Sequence, residues 1–171
     1  MKNKVLDEIT AADALSILRI LAEENKGIAK RIEEIAVNLL SEIDSDDIAS
    51  EVYFELDLIE VEELWDRSGS TRYGYIDPGD MAWRMFEEKM QFFIDRLKKY
   101  QKLAMYIEAK DYCIGILKGI SRYIRESNSE FKNWAVDIPE EFFEEILEEW
   151  KKRQKGENDI VEVERIADEL R

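Results

Sequence analysis

Apolar residues recur three and four positions apart along almost the whole of this 171-residue chain, and one long stretch, WDRSGSTRYGYIDPGDMAW from Trp65 to Trp83, breaks the pattern. Such spacing lays apolar side chains along one face of an α-helix, so the chain is constrained to fold as helix after helix. The break holds three of the seven glycines, one of the two prolines and two of the four tryptophans. A turn-rich insert carrying aromatics and arginines is where a helical scaffold presents a recognition surface.

The helix boundaries can be placed from local signals. Thr10 with Asp13 reads as a capped start, and Leu15, Leu18, Leu21 and Ala22 predict a helix over about 10–23. Asn25, Lys26 and Gly27 punctuate it, and Ile28, Ile32, Ile35, Leu39 and Ile43 then stripe a second helix to about 43. So short a link predicts an antiparallel pair. Asp44 and Ser45 open a third helix bearing Ile48, Val52, Leu56 and Ile59, followed by a short piece around Val61, Leu64 and Trp65.

Asp77 as N-cap, Pro78 at the first position, Asp80 as reciprocal cap and Ile76 with Met81 as a hydrophobic staple start a long helix over about 78–102. Capping accounts for both aspartates. A partner helix follows over about 107–125, where Gly115 and Gly119 let another helix approach closely. RESNSEFKNWAV, from Arg125 to Val136, reads as irregular, with Phe131 and Trp134 expected to pin it to the core. Asp137, Pro139 and Glu140 start EEFFEEILEEW, and after a polar break a last helix places Ile160, Val163, Ile166, Ala167 and Leu170 on one face.

The expected architecture is all-α, with about seven or eight helices in antiparallel hairpins forming an α-α superhelix or a hairpin bundle. Residues 1–154 are expected to form a single domain, with 155–171 a short helix docked on it or on a partner, since an isolated helix of that length is marginal in water.

Charge narrows the function. With 25 Lys and Arg against 40 Asp and Glu, the formal charge of −15 opposes nucleic acid and anionic membranes. No apolar run reaches membrane-spanning length and MKNKVLDEIT lacks a signal-peptide core, so a cytoplasmic location is expected. Residues 45–64 hold eight acids and no base, while 84–134 hold eleven bases and seven acids. Acidic helices are therefore expected to flank a mildly basic central hairpin and to steer a basic partner by long-range attraction.

The chain has no histidine and one cysteine, Cys113. Cys/His zinc sites, Ser-His-Asp triads and Cys-His catalysis are excluded within one chain. DSDDIASEVYFE spaces some acids as a calcium loop does, but Ile48 and Ala49 occupy positions that need an oxygen ligand and the turn glycine. No phosphate-binding glycine motif occurs. No catalytic residue, cofactor or metal ligand is assigned.

The expected function is that of a non-enzymatic protein or peptide interaction module, binding through Trp65, Arg67, Arg72, Tyr73, Tyr75 and Trp83. Trp, Tyr and Arg are the residue types that dominate interface hot spots. One alternative is a small-molecule binder or enzyme using an aromatic pocket with Asp77 or Asp80 and Arg67 or Arg72. Another is a structural homodimer whose aromatic patch is covered by its mate. In a purely packed reading of the segment the tryptophans are buried and the arginines pair with Asp66 or Asp77.

LAMYIEAKDYCIGILKGI, residues 103–120, resembles the second half of a tetratricopeptide repeat: Leu103 and Ala104 stand at the Leu-Gly position, Tyr106 at the aromatic, Ala109 at the small residue and Tyr112 at the next aromatic. Ala104 departs from the family glycine, and the match covers one hairpin. More broadly, VEELWDRSGSTRYGYIDPGDMAW, that hairpin and SNSEFKNWAVDIPEEFFEEILEEW resemble the helical segment of some SWIM zinc-finger-associated proteins over about 44–150. The zinc-binding pattern is absent, so the resemblance implies a helical-repeat adaptor region and carries over no zinc or nucleic-acid role.

Overall fold

The computed structural model describes residues 8–171. Among them the chain is all-α: eight α-helices, one 3₁₀ turn and a two-stranded ribbon. Compact packing divides it into two units, Met1–Glu42 and Ile43–Arg171. The first two described helices contain no buried residue.

The first unit contains α1 (Ala11–Glu24) and α2 (Lys26–Leu40). Thr10 and Asp13 form the expected reciprocal cap, the Asp13 backbone N–H donating to Thr10 Oγ1 at 3.2 Å and the Thr10 backbone N–H donating to Asp13 Oδ2 at 3.1 Å. Asn25 alone separates the helices. It ends α1 and starts α2, its Oδ1 accepting from the Gly27 and Ile28 backbone N–H groups at 2.7 and 3.3 Å. Both devices satisfy N–H groups that a helix start leaves without intrahelical partners.

The second unit runs α3 (Ser45–Asp57), α4 (Val61–Arg67), β1 (Gly69–Thr71), β2 (Gly74–Ile76), α5 (Pro78–Lys102), α6 (Tyr106–Glu126), a 3₁₀ turn (Glu130–Asn133), α7 (Ile138–Arg153) and α8 (Glu157–Leu170). Helix α6 is its spine, touching α3, α5, α7 and α8. Tyr112, Cys113, Ile116, Leu117, Ile120 and Tyr123 are fully buried on it. Burial among apolar neighbours pushes the Cys113 thiol well above its ordinary value, so the group is an unreactive core side chain.

The glycine pair on α6 receives α3. A Cβ at Gly115 would lie 2.7 Å from Ile48 Cβ and 2.9 Å from the Ser45 carbonyl oxygen. One at Gly119 would lie 2.5 Å from Val52 Cβ and 2.8 Å from the Ala49 carbonyl oxygen. The two backbones therefore approach more closely than any residue with a side chain permits. Charge supports the same contact, since Lys118 Nζ on α6 reaches Asp46 Oδ1 at 2.6 Å and Ser45 Oγ at 3.2 Å.

Helix α5 turns into α6 through Ala104, which stands at φ 58°. The Met105 backbone N–H donates to the Tyr100 carbonyl and that of Ala104 to the Gln101 carbonyl, at 3.0 and 3.1 Å. This bonding closes a helix end around a left-handed residue, a position that glycine usually fills. Helix α8 docks on α6 with Val163 and Ala167 buried. Lys110 Nζ holds it through Asp159 at 3.3 Å and Glu162 at 2.9 Å, and Ser121 Oγ donates to the Leu170 carbonyl at 2.6 Å.

Candidate functional site

The Trp65–Trp83 segment folds as a short antiparallel ribbon between α4 and α5, with Gly69 opposite Ile76, Ser70 opposite Tyr75 and Thr71 opposite Gly74. Arg72 and Tyr73 form its two-residue tip. Gly69 at φ 88° and Gly74 at φ 130° supply backbone conformations that residues with a side chain rarely adopt. Thr71 closes the tip, its Oγ1 donating to the Gly74 carbonyl at 2.7 Å and accepting from the Tyr73 backbone N–H at 3.2 Å.

The ribbon is pinned at its base. Arg67, the last residue of α4, forks onto Glu88 of α5 at 2.9 and 2.5 Å and also reaches Glu63 at 3.1 Å. These partners, rather than Asp66 or Asp77, take the arginine. The Arg67 hydrogen bond holds the Glu88 carboxyl below its ordinary value. At the start of α5, Asp77 Oδ1 accepts from the Gly79 backbone N–H at 2.8 Å with Pro78 following the cap. The expected reciprocal bond from Asp80 does not form, so a single side chain caps this helix.

The six candidate residues fall into two groups. Tyr73 is 91% exposed and Tyr75 69% exposed on the ribbon, with the Arg72 guanidinium 5.8 Å from the Tyr73 ring centroid. Trp65 is half exposed at the end of α4. The other two are more enclosed: Arg67 is held in its ion pairs, and Trp83 is half-buried against Phe142 of α7 at 5.0 Å between centroids.

Trp134 joins the surface group. Its ring meets Trp65 edge to face, with centroids 4.7 Å apart and planes at 81°, and Val136, two residues on, is largely exposed. Phe131 does pin the 125–136 connection, being fully buried, whereas Trp134 stands at the surface. The visible signal was a tryptophan in a polar loop. Nothing in the sequence paired it with Trp65.

A cleft of about 670 Å³ lies between α6, α7 and the end of α8, and Ile124, Phe143 and Leu170 form its apolar lining. None of the six candidate residues lines it. Among the described residues no group of three or more acidic or cysteine side chains is placed to hold a metal ion, and no helix is long and apolar enough to cross a membrane. No protein-family model, curated protein or solved structure matches the chain.

Proposed function

We propose that this protein is a non-enzymatic, cytoplasmic interaction module, a helical adaptor with a tetratricopeptide-like hairpin in α5 and α6. It docks a basic peptide or protein segment on the surface formed by Trp65, Arg72, Tyr73, Tyr75 and Trp134, with Arg67 and Trp83 fixing the frame beneath. The observation that carries this reading is the exposure of Tyr73 and Tyr75 on a ribbon whose base is clamped. A ribbon already held at its base adds little backbone reordering to the cost of covering the two rings, and aromatic side chains of this kind anchor interfaces. The formal charge of −15 adds long-range attraction for a basic partner.

A displayed library of random peptides tests the reading directly. Peptides selected on the wild type should be rich in Lys and Arg and should bind Arg72→Ala/Tyr75→Ala at least about tenfold more weakly, the loss of one hot-spot contact. Equal binding to both proteins would place the interaction elsewhere and sink the proposal.

A further inference from the structure

The cleft between α6, α7 and the end of α8 lies wholly within the second unit and has a floor and a rim of different chemistry. Ile124, Phe143 and Leu170 form the floor, and Phe143 is only 4% exposed. Ser121 Oγ beside them already donates to the Leu170 carbonyl at 2.6 Å. The floor therefore suits an apolar body and offers a polar one no free donor. Its volume of about 670 Å³ falls within the roughly 300–1,000 Å³ of small-molecule sites.

The rim is acidic. Asp137, Glu140, Glu141 and Glu144 line it from the start of α7, against Arg125 of α6 and Arg171. Spacing of three and four residues sets these carboxylates along one side of the helix. Glu144 is neutralised by Arg171, whose Nε and Nη2 donate to its Oε1 and Oε2 at 2.8 and 3.0 Å. Among the described residues Asp137, Glu140 and Glu141 take part in no ion pair, and Asp137 makes no side-chain cap bond. The dipole of α7 accounts for acids in its first turn. It does not account for an apolar floor beside them.

Arg171 shows what the cleft accepts. Its guanidinium lies 5.6 Å from the Phe143 ring centroid while it forks onto Glu144, so one cation already sits on the floor against a rim carboxylate. One turn toward the helix start, Glu140 and Glu141 offer the same kind of carboxylate with no cation on them. The three unpaired acids face one unpaired base, Arg125, a balance that attracts a cation and repels a fatty acid or a phosphate. No group of acidic side chains among the described residues is placed to hold a metal ion, so an organic cation is the charge that fits.

We propose that this cleft binds a small amphipathic organic cation, an ammonium or guanidinium group on an aliphatic or aryl body. The body lies on Ile124, Phe143 and Leu170, and the charge faces Asp137, Glu140 and Glu141. This site is separate from the ribbon and does not depend on the function proposed above.

Phenylbutylamine is the probe, titrated into the isotope-labelled full chain and followed by amide NMR shifts, with phenylbutanol as its uncharged match. The amine should give saturable shifts at Ser121, Ile124, Phe143 and Leu170 and bind at least about tenfold more tightly than the alcohol, the value of one charge-assisted contact. Glu140→Gln/Glu141→Gln, both at exposed positions, should lower that ratio to about threefold or less. Arg171→Ala frees Glu144 and should raise it. Because the ratio of amine to alcohol is read, a variant that loosens α8 still decides the matter. Absence of saturable shifts, shifts confined to other residues, equal binding of amine and alcohol, or a ratio that either variant leaves unchanged would each overturn the proposal.

Discussion

Arg67 Nη2 lies 2.5 Å from Glu88 Oε1 while its Nη1 lies 2.9 Å from Glu88 Oε2, a two-pronged ion pair that ties the end of α4 to α5 across the base of the ribbon. The side chains are 32% and 57% exposed, so water screens the pair and its contribution is about 0.5–1 kcal/mol. Glu88→Gln should lower the unfolding free energy by that amount near neutral pH, and by less at about 1 M salt than at about 0.1 M. The carboxyl is held below its ordinary value of 4.5, so the contribution is full above that pH and disappears as pH falls through the folded value. Urea titrations of both proteins across this range check it. A difference that grew on acidification would contradict the assignment.

Gly119 on α6 faces Val52 on α3 with no space for a methyl group. In an ordinary helix interior Gly→Ala is favourable by about 1 kcal/mol. Here the added carbon would sit 2.5 Å from Val52 Cβ and 2.8 Å from the Ala49 carbonyl oxygen, so the helices must separate, at a net cost of about 1–3 kcal/mol. Val52→Ala in the same chain keeps the opposing Cβ and should not rescue it. Thermal unfolding of Gly119→Ala, with and without Val52→Ala, reads both statements, and an unchanged or raised melting temperature would refute them.

These two relationships show where sequence reading reaches and where it stops. Thr10 with Asp13, and Asp77 with Pro78, mark helix starts because capping bonds act between residues two or three apart. Gly115 and Gly119 announce a close approach for a similarly local reason. That the approaching element is α3, through Ile48 and Val52, is not legible, because a long-range contact leaves no mark at either end. The strands Gly69–Thr71 and Gly74–Ile76 are too short to show alternation, so only the turn between helices was readable. The exposure of Ile28, Ile35 and Leu39 on α2 was not legible either, because an apolar stripe looks the same in sequence whether it is buried or exposed. At the candidate site, the exposed tyrosines follow from a polar, glycine-rich setting, while the inward turn of Trp83 and the Trp65–Trp134 contact depend on where α7 and the 125–136 connection come to lie.

Ala104 occupies a left-handed conformation at the turn from α5 to α6. A residue with a Cβ loses about 1 kcal/mol there, and the surrounding bonding from Met105 and Ala104 to Tyr100 and Gln101 is the arrangement in which glycine is favoured. Ala104→Gly should raise the unfolding free energy by about 0.5–1 kcal/mol after the entropy lost by glycine on folding. The melting temperature of a chain this size then rises by roughly 1–4 °C. A fall on calorimetry would mean that the turn is not left-handed in solution.

Trp65 and Trp134 separate binding from stability. Both rings are part exposed, so truncating either removes an edge-to-face contact worth about 0.5–1.5 kcal/mol and little core packing. Under the proposed function the same pair forms part of the docking surface. Trp134→Ala should then weaken a selected basic peptide at least about tenfold, while the urea midpoint moves only modestly. Phe131→Ala is the contrasting variant: its side chain is fully buried, so its cost, about 3–5 kcal/mol, falls on folding. Peptide affinity measured by calorimetry for the folded fraction of each variant distinguishes them. If Trp134→Ala binds as tightly as the wild type, the tryptophan pair serves only to hold the 125–136 connection against α4.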